Sequence, residues 1–449
     1  MLSRSLWLDT APGPPRPALD GDTEADVVVI GAGFTGLWTA YYLSLFDPGR
    51  SVLVLDAEHV GYGASGRNGG WCTAENPRLL GTLVRRHGPL AAARWYRAAR
   101  RTLDEIEAVL DTEGVDGHWR RDGSLYVART AGQRDALVGW RDGLRKLGVT
   151  DLTVLEGDEA RRRLALRGTV AAGFTPNCAA VHPARIARGL ADAVECRGGR
   201  VVERTRALGV APHRVSTDRG TVRAGAIVHA TEAYGHRLAG RRRVLPVRSQ
   251  VVATAPLPAP VWAELGWTDR VTVTDSRHHF AYLQRTADDR LVAGGCGVSY
   301  RYGSRSSTWD GADRRAAERL AATLADFFPA LAGVPLTHAW SGVYGLHRDA
   351  EPSVGYDPST GVGHAGGYGG EGVVLSNLAG RTLAALITGT SRPETRLCWV
   401  DRRPARWEPE PLRYLGVHGA SALAHHADRY EARTGRPAPI ATRLLRRLT

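Results

Sequence analysis

The stretch DVVVIGAGFTGLWTAYYLSLF, residues 26–46, decides the fold. Within its first five residues, DVVVI, Val27–Ile30 are a continuous β-branched run, which is stable as a strand only when both faces are buried, as in the middle of a parallel sheet. GAGFTG follows at once, and Gly31, Gly33 and Gly36 lead into LWTAYYLSLF, whose apolar residues recur at helical spacing until Asp47-Pro48-Gly49 ends the helix. A second apolar run, SVLVLD, closes on Asp56, twenty residues past Gly36. The order strand, glycine turn, helix, strand, acid is a dinucleotide-binding unit. Gly31 makes the tight turn, Gly33 admits a pyrophosphate to the backbone, Gly36 lets the helix pack closely, and Asp56 accepts ribose hydroxyls. The pattern G-x-G-x-x-G recurs as GVGHAG from Gly361 and as GYGGEG from Gly367. Letters alone therefore prove little, and the competing reading is a glycine-rich structural turn. Only the first copy has the strand, helix and acid around it.

Outward from this unit, GYGASGRNGGW (61–71) is too rich in glycine and small residues for a packed strand or helix, so it reads as a loop lying on something flat or anionic. HPARIARGLADAVECRGG (182–199) reads as a helix, and AIVHA within 221–235 as another buried strand ending at Ala230-Thr231. Short strands at 247–254, 271–274, 280–284 and 290–294 imply a mainly antiparallel sheet. Helices are expected at 314–328, before Pro329, and after the glycine cluster GHAGGYGGEG, where a helix N-terminus points its dipole at whatever the glycines cradle. His278-His279 has no third ligand at suitable spacing, and two histidines on opposite faces of a strand explain the pair without a metal.

Length and composition set the outer bounds. A chain of 449 residues and 48.4 kDa has room for two or three domains and a large core. Hydrophobic residues at 43% and charged residues at 23% exclude collagen, coiled coil and disorder. The net charge of +13 comes from a Lys plus Arg total of 59 in which Lys146 is the sole lysine. Clusters such as Arg241-Arg242-Arg243 and Arg161-Arg162-Arg163 are short and carry no interleaved aromatics, so solvated surface is expected rather than a nucleic-acid stripe. Five widely spaced cysteines without C-x-x-C fit a reducing compartment. The first residues, MLSRSLWLDTAPGPPRPALDG, lack a signal-peptide core and read as an irregular leader. Glycines interrupt the run Val27 to Phe46, which argues against a membrane span. A cytoplasmic protein is expected.

In their order these blocks resemble the D-amino-acid oxidase-like family of FAD-dependent amine oxidoreductases, the family of sarcosine oxidase, glycine oxidase and γ-glutamylputrescine oxidase. The resemblance runs from about residue 25 to 395 over DVVVIGAGFTGLWTAYYL, Asp56, GYGASGRNGGWC, the strand VVERT, HATEAYG, YLQRTADDRLVAGG and WSGVYGLHRDAEPSVG with GYGGEGVVLSNLAGRTLAALI. ASGRNGGWC and the tail PEPLRYLG with ADRYEARTGRP are most similar to the γ-glutamylputrescine oxidase branch.

The resemblance implies an α/β fold: a Rossmann-type FAD-binding domain from residues 1–90, 182–245 and 338–395, an α+β substrate domain from 91–181 and 246–337, and a C-terminal helical extension at 396–449. It implies ADP contacts at Gly31, Gly33, Phe34, Thr35, Gly36, Asp56 and Ala57. Ser65, Gly66, Arg67, Asn68, Gly69 and Gly70 would run along the pyrophosphate and ribityl chain. Val201, Ala230 and Thr231 would flank the adenine end, while Gly369, Gly370, Glu371, Gly372 and Val373 would face the flavin's pyrimidine side. Leu346-His347-Arg348 has no neighbouring cysteine, so non-covalent FAD is expected.

The activity implied is oxidation of an amine or amino-acid C–N bond by hydride transfer, with dioxygen or an electron carrier as final acceptor. Arg285 matches the position where amino-acid oxidases clamp a carboxylate, against a turn pairing with Asp288 or Asp289. Some relatives use a lysine over the flavin; Lys146 sits in the surface-like segment WRDGLRKLGV, leaving His347 and Arg348 as candidate sources of positive charge, with Tyr368 beside them. Among alternatives, a glutathione-reductase-like enzyme needs a second dinucleotide unit and a C-x-x-C, and neither occurs. A FAD-dependent monooxygenase, or a dehydrogenase acting on a biosynthetic intermediate, shares the first fingerprint and stays open.

Overall fold

DVVVI forms the inner end of the strand Thr23–Ile30, and its last four residues are buried. Val52–Leu55 pairs with it in parallel on one side and Thr221–His229 on the other, so both faces of the run are covered as its composition requires. The computed structural model describes residues 4–238, 242–305 and 313–448; Arg241 of the basic cluster lies outside them. Arg200–Val202 continues this sheet beyond Val52–Leu55, Val362–Gly366 extends it past Thr221–His229, and Ser353–Asp357 closes that edge antiparallel. Helices Phe34–Phe46, Pro183–Cys196 and Gly372–Thr388 share one apolar core with Val27, Val29 and Val54 on one face of the sheet. On the other face Val28, Ile30, Leu53 and Leu55 pack with Leu19 and with Val215 of the small hairpin 207–217.

A second eight-stranded sheet runs, in spatial order, Leu336–Leu346, Leu245–Thr254, Leu291–Ser299, Ala281–Arg285, Thr272–Asp275, Ser124–Ala128, Ala171–Thr175 and Thr153–Glu156. Every pairing is antiparallel except that between Thr272–Asp275 and Ser124–Ala128. The expected antiparallel sheet is therefore present, and it extends well beyond the four strands legible in the sequence. Helix Arg314–Phe327 and the rings of Trp262 and Trp267 cover one face. The opposite face looks toward the glycine loops of the first sheet. No helix among the described residues is long and apolar enough to cross a membrane.

Three expectations change. The N-terminal leader is not irregular: Leu6–Asp9 is a short helix, with Leu6 and Trp7 only 1% and 2% exposed. A tryptophan this deep needs an acceptor for its indole N–H, and Trp7 donates to the Asn68 carbonyl at 2.8 Å while Ser5 donates to that of Gly66 at 2.7 Å. His278 and His279 stand in a turn, not on a strand; their backbone N–H groups donate to the Asp428 carboxylate at 2.7 and 2.9 Å and dock the C-terminal helix Leu412–Thr434. That helix starts at Leu412, so the extension becomes helical later than residue 396.

Candidate functional site

The carboxyl ends of Thr23–Ile30, Val52–Leu55, Arg200–Val202 and Thr221–His229 lie along one edge of the first sheet, the usual ligand edge of an open α/β sheet. Gly31 turns the chain there with φ of +112°, and its N–H donates to the Leu55 carbonyl at 2.7 Å. A methyl group on Gly31 would sit 2.6 Å from the Ala230 carbonyl oxygen, and one on Gly36 only 1.9 Å from that of Gly31. The helix starting at Phe34 has Gly33 at its N-cap, so no side chain of its own caps it. Ser65 from the second glycine loop accepts the Phe34 N–H at 2.8 Å instead. Thr35 is braced from elsewhere, its hydroxyl 2.9 Å from that of Tyr368.

Asp56 follows the second strand, with Ala57 beside it. Its carboxylate accepts the Ala32 N–H and the Glu58 N–H, each at 2.8 Å. Burial pushes this carboxyl up to about 6, against the lowering effect of the two N–H donors. The Asp56 N–H donates to the Val202 carbonyl at 2.9 Å, which brings Val201-Val202 alongside. Ala230 and Thr231 end the strand on the far side of the glycine turn, where the next carboxylate, Glu232, accepts the Gly367 N–H at 3.0 Å. The first and third glycine patterns thus meet through Ala230, Glu232 and Tyr368.

The loop 61–71 is fixed from within and above. Asn68 donates to the carbonyls of Ala64 and Ser65 at 3.1 and 3.2 Å and accepts the Gly70 N–H at 2.7 Å. Arg67 folds back, donating to the Tyr62 carbonyl at 2.7 Å with its guanidinium over the Tyr62 ring, so it braces the loop. Gly66 and Gly69-Gly70 carry the backbone between these anchors. A methyl group on Gly69 would strike the Tyr282 ring at 2.4 Å, and one on Gly70 the Gln284 amide at 2.1 Å. Here the second sheet meets the loop. Trp340 completes the contact by donating to the Arg67 carbonyl at 3.0 Å.

Gly369 and Gly370 both have positive φ, and a methyl on Gly370 would meet nothing within 4 Å: the backbone there borders an open cradle. Glu371 caps Gly372–Thr388 without a side-chain bond to it; its carboxyl takes a 3.4 Å hydrogen bond from Asn76 and is pushed up to about 8, first by burial and then by Glu75. Val373 is buried behind it. A glycine turn at a helix N-terminus, a carboxylate at the end of the second strand and a second glycine cradle more than 300 positions later in the sequence fit the two ends of FAD.

The residues expected to carry chemistry are placed differently. Tyr282 and Gln284 share one face of their strand, so Arg285 falls on the other by simple alternation. There it lies over the Trp262 ring at 4.5 Å, bonds Asp289 at 2.6 and 2.8 Å and donates to the Trp267 carbonyl at 2.9 Å. The turn pairing replaces the carboxylate clamp. Arg285→Lys should therefore leave flavin content and kcat/KM nearly unchanged; a KM rise of about tenfold for an amino acid over an amine would restore the clamp. His347 is 5% exposed, hydrogen-bonded through Nδ1 to the Glu351 carbonyl at 2.7 Å and packed on Gly367; burial holds it down to about 4, so it is neutral. Arg348 pairs with Glu408 at 2.9 Å and lies over Trp407. Tyr368 is 4% exposed and spent on Thr35. Lys146 ends the surface helix Ala131–Lys146 and is exposed.

The side chains that meet at this contact instead are Tyr282 and Gln284 from the second sheet and Trp71 at the end of the loop, whose ring meets that of Tyr282 edge-on at 6.1 Å. Tyr344 joins them: burial raises its hydroxyl well above the usual range, and Tyr282 and Glu371 add to the rise. The parity of F-A-Y-L-Q-R carried the signal for Tyr282 and Gln284. For Glu371 as a buried acid there was none, since its depth depends on Glu75 and Asn76 far away in sequence.

A family model described as FAD dependent oxidoreductase matches residues 26–386. The Escherichia coli (strain K12) gamma-glutamylputrescine oxidoreductase is 30% identical over 381 residues, covering 84% of this chain and 86% of that protein. A probable oxidoreductase OrdL of Haemophilus influenzae is 27% identical over 383 residues, with 83% and 85% covered. Among solved structures, glycine oxidase from Geobacillus kaustophilus superposes with a TM-score of 0.68 at 22% identity, over 82% of this chain and 96% of that one. The L-amino acid deaminase from Proteus myxofaciens gives 0.69 at 16% identity, over 89% and 97%. These two likenesses concern the fold.

Proposed function

The chain belongs to the family of FAD-dependent oxidoreductases, and on that premise we propose that it oxidises the C–N bond of a small amine or amino acid. The observation that carries this reading is the meeting of Tyr282 and Gln284 with Gly69-Gly70, which roofs the cofactor loop with aromatic and amide side chains and, among the described residues of that strand, places no charged base against it. The relative named for gamma-glutamylputrescine supports an amine substrate. FAD, which the Gly31–Gly36 turn, Asp56, the 61–71 loop and the Gly369–Val373 cradle would hold, would supply an acceptor for one hydride, that is, for two electrons and a proton together. The same reading divides the chain into the cofactor domain, substrate domain and C-terminal extension expected from the sequence, and the free thiols Cys72, Cys178, Cys196 and Cys398 suit the cytoplasm.

The chain's own residues then act on the substrate. Trp71, Tyr282 and Tyr344 exclude water, and a desolvated amine gives up its extra proton because burial disfavours the charged form. The neutral amine has the lone pair that drives hydride from its α-carbon; the resulting iminium adds water and breaks to a carbonyl compound and ammonia or a smaller amine. Glu371, held up near 8, stays protonated at neutral pH and adds no second negative charge beside the helix N-terminus. An anaerobic screen of amines and amino acids tests the reading: flavin absorbance at its visible maximum should bleach with a subset of them. Bleaching by NADPH with no response to any amine would overturn it in favour of a monooxygenase.

FAD is held without a covalent bond in this reading. His347 is committed to the Glu351 carbonyl and no cysteine lies between residues 340 and 350. Acid precipitation should leave a colourless pellet and a yellow supernatant; colour surviving in the washed pellet would contradict it.

A further inference from the structure

Behind the cofactor loop, on the far side of Val181 and Gln284, is a cavity of about 190 Å³ walled by the N-terminal helix through Leu6, Trp7 and Thr10. Val181 N–H donates to the Gly70 carbonyl at 2.8 Å, so a single layer of side chains separates this cavity from the loop. Two features of its lining ask for a ligand. Gln284 is 1% exposed; its amide nitrogen is turned to the Val181 carbonyl at 3.4 Å, and its carbonyl oxygen is buried with no hydrogen-bond partner. A buried acceptor left unmade costs free energy that a bound donor restores. Arg270 donates to the carbonyls of Arg285 and His118 at 3.1 and 2.9 Å and, among the described residues, makes no ion pair. Arg185, also in the wall, spends one nitrogen on Asp116 at 2.8 Å and leaves its buried Nε without a partner. Asp288 at the mouth is already engaged by Thr286 and Arg290. His182 holds the inner end in place, its Nε2 3.0 Å from the Thr10 hydroxyl.

We propose that this cavity is a second small-molecule site, distinct from the substrate position, for a carboxylate of amino-acid size that carries an O–H or N–H donor beside the carboxyl group. The carboxylate pairs with Arg270 and the Arg185 Nε, and the donor satisfies Gln284 Oε1. Planar guanidinium donors suit a carboxylate, and room for several waters suits a molecule of that size. Occupancy presses on Gln284, whose amide rests on Gly70, so the occupant adjusts the cofactor loop from behind.

L-Lactate is the probe, because it has the carboxylate and the hydroxyl but no amine to oxidise, which keeps the result independent of the catalytic reading. Calorimetry on the FAD-loaded protein should show one site for lactate and binding at least about tenfold weaker for propionate, which lacks the donor. Arg270→Met should weaken lactate by about tenfold or more. Ala287→Trp, a substitution at an exposed residue of the mouth, should block it while the flavin spectrum shows the protein intact. Absence of lactate binding to the wild-type protein, equal binding of propionate, or unchanged lactate binding in the Ala287→Trp protein would each overturn the proposal.

Discussion

Gly36→Val should yield a protein that purifies without flavin. The added Cβ lies 1.9 Å from the Gly31 carbonyl oxygen and 3.0 Å from Val29 Cγ1, so the helix Phe34–Phe46 must lift off the turn. It has nowhere to go. On its other side Gly380 of the helix Gly372–Thr388 is so close that a methyl there would sit 2.7 Å from the Thr39 nitrogen, and the turn itself is pinned by the Gly31 to Leu55 bond. Forced insertion into a packed core costs about 1–3 kcal/mol, and a helix displaced by even one ångström no longer aims its first N–H groups at a pyrophosphate. The ratio of flavin to protein absorbance should fall close to zero and the thermal midpoint should drop. Gly49→Ala, where a methyl meets nothing within 4 Å, is the matched control and should retain full colour. Full flavin content in Gly36→Val would remove the Gly31–Gly36 turn from the cofactor site.

What the sequence made legible follows from how far apart the interacting residues are. The strand, turn, helix, strand and acid from Asp26 to Asp56 are contiguous in sequence and tied locally, the Gly31 N–H to the Leu55 carbonyl and the Asp56 carboxylate to the Ala32 N–H, so their order specified the local fold and where that carboxylate stands. The strands of the second sheet are legible in the sequence, and their parity alone sets Arg285 against Trp262 and Tyr282 against Gly69 on opposite faces. Other features depend on partners that no local pattern reveals. Ser5 and Trp7 are bonded to carbonyls 61 positions away, and that tie turns a short apolar pair into a strap beneath the 61–71 loop. Tyr368 reads as a catalytic phenol beside the glycines until its hydroxyl is seen to meet Thr35, 333 positions earlier. His347 and Arg348 are cations by composition only; burial neutralises one and Glu408 pairs the other.

Asp56→Ala should weaken FAD binding by tenfold to a hundredfold, since a hydrogen bond to a charged group is worth roughly 1.5–3 kcal/mol and the Ala32 and Glu58 N–H groups lose their acceptor as well. Acid should mimic the mutation. The carboxyl stands at about 6 rather than near the ordinary value of about 3.9 because burial disfavours its charge. In the proposed site ribose hydroxyls donate to the ionised form, so FAD affinity in the wild-type protein should be flat above pH 7 and decline as the pH falls through about 6. The folded apoprotein behaves oppositely: its raised carboxyl binds a proton more tightly than the unfolded chain does, so this group's contribution to stability is greatest below the unfolded value and is lost as the pH rises through about 6. Cofactor affinity and apoprotein stability should therefore move in opposite directions between pH 7 and pH 5, and both trends should vanish in Asp56→Asn, which keeps an acceptor but cannot titrate. Titrating apoprotein with FAD across that range, alongside thermal midpoints of the apoprotein, reads both. A wild-type affinity profile with no break near pH 6, or one that Asp56→Asn reproduces, would take Asp56 out of the ribose site.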